Sequence, residues 1–403
     1  MNCLYLFQND FRLQDNALLN EALLQSQTIN FVAFLPEEQW GKWRQKFYLQ
    51  CLENLDHQLR QFDHTLSVVS KEEFYASDVT RFDRLYTCLI NLTNENRERE
   101  ILKSKTKVTS QQTDRLLSQL DFAIPNIYTE FRKKVEKVFS PNPKIQVPAK
   151  GQWPKSGPKI FDELSDLKLM GPFDIDKNSA FPFDGGEEAG LKRLHEYLWK
   201  DQSILTYKET RNGLLGLNYS TKFSPWLATG CISPHTIYRE VEKFEEEIKE
   251  NQSTYWVKFE LWWREYFRWV GDAHGVQLFK IEGFQQKEVA KNGNYSKFNE
   301  WVEGRTGQDF VDANMKEIKA TGWMSNRGRQ NVASYLVKDL NLPWIWGARY
   351  FENQLIDYDP WSNYGNWQYV AGVGNDPRPN RYFNLEKQAK VYDPDGTFRK
   401  VWN

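Results

Sequence analysis

Between residues 321 and 383 the chain reads TGWMSNRGRQNVASYLVKDLNLPWIWGARYFENQLIDYDPWSNYGNWQYVAGVGNDPRPNRYF. Arg327, Arg329, Asp357, Asp359, Asn326, Asn363 and Asn366 are interleaved there with Trp323, Trp344, Trp346, Trp361, Trp367, Tyr364 and Tyr369. Burying charges among so many rings costs several kcal/mol each unless they are paired or hold a ligand. Arg and Asp satisfy one another, and amide side chains both donate and accept, as a heteroaromatic ring with imide edges requires. An aromatic helical core with surface salt bridges is the commoner use of such a mixture, and composition alone favours it.

Two further constellations precede this stretch. In STYWVKFELWWREYFRW (253–269), helical spacing puts Trp256, Glu260, Trp263, Arg264 and Phe267 on one face. Phe259, Trp262, Tyr266 and Trp269 form an adjacent stripe, so this helix should be enclosed on both sides. Glu260 and Arg264 at i,i+4 suit a surface ion pair worth a few tenths of a kcal/mol. A carboxylate flanked by two Trp also suits a raised pKa and a functional role. In 207–234, Ser220, Thr221, Lys222 and Ser224 cluster ahead of a helical run, and Tyr207 opens the segment. Hydroxyls and free N–H groups at a helix start make an anion site, although an ordinary N-cap is the commoner use.

The elements that must position these residues fall into two kinds. Apolar runs at 3–7, 29–35, 66–69 and 85–90 alternate with helical spacing at 16–27 and 47–62, which predicts a parallel, doubly wound α/β sheet. No GxGxxG follows the first strand. QNDFRLQDN stands there instead, with Arg12 and Asp15 suited to a cap or an interdomain contact. Residues 91–100 (NLTNENRERE) read as a polar helix start. Residues 140–183, rich in Pro, Gly and Asp, read as a connector, and helical spacing dominates from 191 to the C-terminus.

A chain of 403 residues suits two domains. The net charge of −1 confines any nucleic-acid contact to a local patch. Four scattered cysteines, Cys3, Cys51, Cys88 and Cys231, suggest neither a metal site nor a disulfide framework and suit a reducing compartment. The N-terminus has no basic-then-apolar leader and no apolar run approaches a membrane span, so the expectation is a cytoplasmic monomer without membrane contact. Thirteen of the sixteen Trp lie from Trp199 onward, where they could fill a core, stack a planar cofactor or bases, or pass electrons.

TGWMSNRGRQNVAS followed by LIDYDPWSNYGNWQYVAGVGNDPR strongly resembles the flavin-binding core of the photolyase/cryptochrome family, and SNRGRQNVAS and YGNWQYVAGVGNDPR resemble its cryptochrome-DASH branch. QNDFRLQDN resembles the opening of the family's antenna domain, and 125–137 again looks like cryptochrome-DASH. The resemblance implies a shortened antenna-type α/β domain over 1–125, a connector over 126–190 and an all-helical FAD-binding, catalytic domain over 191–403. It implies that Tyr207, Ser220, Thr221, Lys222, Phe223 and Ser224 grip FAD together with Trp256, Arg264, Asn326, Arg329, Asp357, Asp359 and Asn363. Arg329 and Asp357 match a salt bridge beside the flavin ring, and Asn363 matches the residue facing flavin N5.

Glu260 and Trp263 match the residues that hydrogen-bond and stack on a cyclobutane pyrimidine dimer, and Asn326 matches a substrate-side contact. Arg264, Arg327 and Arg381 match DNA-phosphate positions. Tyr369 stands where double-strand-acting photolyases carry a second Trp, a catalytic-pocket trait of cryptochrome-DASH. Trp367 and Trp344 match the inner and middle members of an electron-transfer Trp triad, while the outer position is Lys291. Trp346, Trp361 or, to a smaller extent, Tyr295 could supply another exit. Asn94-Glu95 falls where the family holds a folate antenna (methenyltetrahydrofolate), but 101–120 is short, and folate is expected to be weakly held or absent.

The implied activity is blue-light-driven, FAD-dependent splitting of pyrimidine dimers, preferentially in single-stranded or looped DNA. The alternative is a cryptochrome-type receptor signalling through flavin redox state.

Overall fold

The computed structural model describes residues 1–89, 93–166, 175–289, 293–376, 378 and 381–403, with residues 93–97 described by their backbone alone. Its first half is built on β1 (Asn2–Phe7), β2 (Thr28–Phe34), β3 (Leu66–Val69), β4 (Arg84–Cys88) and β5 (Val108–Gln111). They pair in parallel in the order β3-β2-β1-β4-β5, with Cys3 opposite both Ile29 and Arg84. Cys3 through Phe7 are all buried, as a strand covered on both faces demands. The helices α1 (Ala17–Gln25), α2 (Lys42–Arg60), α3 (Lys71–Ala76) and α4 (Thr93–Lys105) connect these strands. Asn16 caps α1 by accepting from Leu19 N–H.

Three features differ from the sequence expectation. α2 begins at Lys42 rather than residue 47, because its first turn is polar and carries no apolar periodicity. β5 (VTSQ) is a sheet-edge strand without an apolar run. The connector adds a strand, β6 (Lys155–Ser156), which pairs in parallel with the start of β2.

The second half is helical: α5 (Tyr128–Val135), α6 (Glu187–His195), α7 (Tyr207–Thr210), α8 (Ser224–Thr229), α9 (Pro234–Glu247), α10 (Gln252–His274), α11 (Tyr295–Glu303), α12 (Asp309–Thr321), α13 (Asn326–Ser334), α14 (Trp344–Gln354), α15 (Pro360–Ala371), α16 (Leu385–Tyr392) and α17 (Thr397–Trp402). Its axis is α10, whose 23 residues span roughly 34 Å. Asn251 caps it by accepting from Ser253 and Thr254 N–H, while Thr254 Oγ1 accepts from Asn251 N–H.

Buried polar groups join the halves. Arg12 donates to the carbonyls of Gly230 (2.8 Å), Asp15 and Thr113, and Asp15 pairs with Arg239 at 2.7 Å. Glu187 accepts from Leu13 and Gln14 N–H. Gly230 has φ +70°, and a Cβ there would fall 1.8 Å from the Asn9 carbonyl oxygen, so the approach requires glycine. Arg12 and Asp15 thus make the contact their position suggested. Among the described residues no helix is long and apolar enough to cross a membrane.

Candidate functional site

α10 forms the floor of a cleft made of two adjoining cavities, of about 360 and 280 Å³. Glu260, Trp263, Phe267, Arg329, Asp357 and Asp359 line both. Apolar helical spacing explains the placement: the face carrying Trp256, Glu260, Trp263 and Phe267 turns to the cleft, while Trp262 and Tyr266 are fully buried behind it.

In the cavity shared with the 219–228 segment, Arg329 Nη2 donates to both oxygens of Asp357 at 2.9 Å, and its Nε–H to the Met324 carbonyl. Ser224 Oγ–H donates to Asp357 Oδ2 at 2.7 Å. Tyr207, Ser220, Thr221, Phe223, Ser224 and Arg264 line this cavity. Lys222 lines it too, at φ +65°, but its ammonium lies buried 3.2 Å from the Tyr219 ring centroid and 4.7 Å from that of Trp323. Burial pushes the Lys222 pKa well down. Glu317, fully buried nearby with both oxygens lacking a hydrogen-bond partner, is pushed up by burial to about 8, Lys222 and Arg329 offsetting part of the rise.

Asn363 and Asp359 sit at the start of α15. Asn363 Nδ2 donates to the Ala348 carbonyl at 3.0 Å, which leaves Oδ1 as an acceptor. Asp359 caps α15 through Ser362 N–H and accepts from Arg268 at 2.5 Å. Arg268 also donates to Asp114 at 2.8 Å, so a buried guanidinium on α10 bridges the α/β half to the cleft. Burial favours the neutral acids, but Arg268 and Arg264 hold Asp359 below its usual range, and with Arg115 they hold Asp114 at about 2.

The other cavity carries Glu260, Trp263, Asn326, Tyr369 and Arg381. Trp263 stacks on Tyr128 of α5 at 3.7 Å and 13°, and the Tyr369 ring stands edge-on to it at 6.0 Å. Arg381 pairs with buried Asp376 and lies 4.6 Å over Tyr369. Glu260 pairs with Arg211 of the segment after α7, not with Arg264. The i,i+4 pair fails because Arg264 reaches the Asp114 and Leu227 carbonyls instead. Burial raises the Glu260 pKa and Arg211 draws it partly back. Arg327 is not among the lining residues of the cleft: it donates to Asn212 and covers Tyr392.

Arg211, Tyr128, Arg268, Asp114 and Glu317 were missed in the sequence. Arg268 was legible as a third charge at helical spacing after Glu260 and Arg264, whereas Tyr128, Asp114 and Arg211 meet α10 only through tertiary contacts. Trp367 packs on Gly347, where a Cβ would lie 2.2 Å from the indole, and touches Trp301 at 6.4 Å. Trp344 donates to the Ile281 carbonyl, and its ring meets Tyr364 at 6.2 Å. Trp361 packs on Gly271 beneath Arg268. Asn94, Glu95 and Lys291 lie outside the described side chains.

Residues 3–149 match the DNA photolyase domain, and residues 256–403 match the FAD binding domain of DNA photolyase. The chain is 40% identical to cryptochrome DASH of Danio rerio over 98% of its own length and 82% of that protein's. The chain belongs to the photolyase/cryptochrome family. The likeness extends to solved structures: a Synechocystis sp. cryptochrome superposes with a TM-score of 0.90 at 38% identity, covering 100% of this chain and 88% of that one. An archaeal photolyase from Sulfolobus tokodaii, described with two FAD molecules, gives 0.77 at 26% identity, covering 100% and 90%.

FAD is the cofactor of this photolyase-like flavoprotein. The donor set of the cleft fits it. A guanidinium–carboxylate pair and an amide acceptor suit the imide and N5 edges of the ring, and the Ser220–Ser224 hydroxyls suit a diphosphate. Aromatic walls suit the planar faces.

Proposed function

We propose that the protein splits cyclobutane pyrimidine dimers in DNA under blue light, preferentially in single-stranded or looped DNA. The observation carrying this reading is that Glu260 and the Trp263 indole line one cavity with the Arg329–Asp357 pair and Asn363. Bound FAD supplies the light-excited electron donor. The flavin is held by Arg329, Asp357, Asp359 and Asn363, with Tyr207, Trp256, Arg264 and the 220–224 segment; for Lys222 the contact is its backbone, since its ammonium is buried among rings.

Trp263, held flat by Tyr128, stacks the extruded dimer, and Asn326 and protonated Glu260 donate to its carbonyls. Arg381, anchored by Asp376, meets a flanking phosphate, with Arg327 further along the strand. Tyr369 offers a smaller stacking face than Trp and compensates less for pulling a dimer out of a duplex, which costs a few kcal/mol. Trp367, which lines the cleft, passes on the electrons that reload the flavin.

The test is light-dependent repair of dimer-containing oligonucleotides by the reduced protein. Repair should exceed the dark control and be faster on single strands than on duplex at matched salt. No repair in light would overturn the proposal, and equal rates would overturn the strand preference. A third cavity, of about 540 Å³ at the carboxyl ends of β1 and β2, includes Phe34, Trp40, Arg44 and Tyr358 and suits an antenna ring. Chromatography of whatever fresh protein releases on denaturation identifies such an antenna, with folate expected to be weak or absent.

A further inference from the structure

The aromatic rings around Trp367 carry one more conclusion, which rests on FAD lying beside that residue. The usual third Trp is missing, since no Trp occurs between Trp269 and Trp301. Among the described residues Trp344 meets no exposed ring: it is itself 1% exposed, and Tyr364, against which it packs, is 4% exposed. Trp367 has another neighbour. From ring centroid to ring centroid, Trp367 lies 6.4 Å edge-on to Trp301, Trp301 stacks on Phe298 at 5.8 Å and 20°, and Phe298 meets Trp346 at 5.3 Å. Trp346 in turn stacks on Tyr295 at 4.6 Å and 19°. Tyr295 is 71% exposed, more than any other Tyr, Trp or Phe among the described residues. A large aromatic at the first position of α11 gains little from folding when left that exposed, whereas stacked on Trp346 it brings the ladder to water.

We infer that Tyr295, stacked on Trp346, is the surface terminus from which an external reductant refills the flavin site, by way of Trp301 and Trp367 rather than Trp344. One electron leaves Trp367 for the light-excited flavin. Trp301 then gives an electron to Trp367, Trp346 gives one to Trp301 across the Phe298 ring, and Tyr295 gives one to Trp346. The phenol of Tyr295 releases its proton to bulk water and becomes a neutral phenoxyl radical. An external thiol donates a hydrogen atom to restore it, and two thiyl radicals combine as a disulfide.

Two readouts test this on the FAD-loaded protein: the rate of flavin photoreduction by an external thiol, and the radical seen by transient absorption and spin resonance. The wild type should show a phenoxyl signal. Tyr295→Phe should abolish that signal and slow photoreduction severalfold, Trp346→Phe should do the same, and Tyr295→Trp should restore the rate with an indolyl signal. Trp301 is fully buried, so Trp301→Phe serves as a supporting variant only where its circular dichroism matches wild type. Wild-type rates in both Tyr295→Phe and Trp346→Phe, or a wild-type radical residing elsewhere, overturn the inference. Dimer splitting by chemically reduced protein is run in parallel. Its loss in wild type would sink the repair reading alone and leave the route standing.

Discussion

Glu260 is the residue on which protonation and substrate recognition meet. Protonated, it can donate to a dimer carbonyl; ionised, it can only accept, and it pairs with Arg211. Because burial raises its pKa, the protonated form persists above the usual carboxylate range, and repair per absorbed photon should fall as pH rises through that raised value. Glu260→Gln keeps a donor and should flatten this profile, while Glu260→Ala should lower repair at every pH with FAD still bound. A pH series of photon yields on the three proteins decides it. Glu317 offers a test of stability instead. Its folded pKa of about 8 lies above the unfolded value, so the native state holds an extra proton between the two. Its contribution is fully favourable below about pH 4 and is lost as pH rises towards 8, a penalty of roughly 3 kcal/mol at pH 7. Glu317→Gln should therefore unfold at higher denaturant concentration than wild type at pH 7 and at equal concentration near pH 4. The same denaturant midpoint at both pH values would show that Glu317 has found a partner.

At the scale of elements, α10 does two jobs with one periodicity. Its cleft face was readable from spacing, since Glu260 and Trp263 recur at helical intervals and a 3.6-residue period leaves little choice of side. What the spacing could not show is which partner each charge takes. Glu260 bonds across to Arg211 and Arg268 to Asp114, residues 49 and 154 positions away, and local periodicity carries no information at that separation. The same limit hid β5 and β6, whose few polar residues belong to the sheet only because a neighbouring strand offers its edge. Arg268 ties α10 to the cap of α15, so its removal reaches both stability and the flavin. Arg268→Ala should cost about 3–5 kcal/mol by stranding Asp114 and Asp359, and weaken FAD retention on gel filtration. Unchanged thermal stability and unchanged flavin content would show that water replaces the guanidinium.

For the whole molecule, the two halves share too many buried polar contacts to behave separately. Arg12, Glu187, Asp114 and Gly230 each meet a partner from the other half or from the segment between them. Calorimetry should record one cooperative transition, and Arg12→Ala should broaden or split it; two resolved transitions in wild type would contradict this. Arg12 also has a consequence for how the chain is made. Its partner at Gly230 lies 218 residues downstream, and a ribosome adding about 5–20 residues each second needs roughly 10–40 s to reach it. During that interval the nascent α/β half carries a guanidinium short of an acceptor and an Asn9 carbonyl awaiting its glycine. The sheet can assemble as it emerges, but its seam towards the helices closes only once the 219–224 segment and α8 have left the tunnel. Birth order thus makes the flavin-binding half the finisher of the half translated before it.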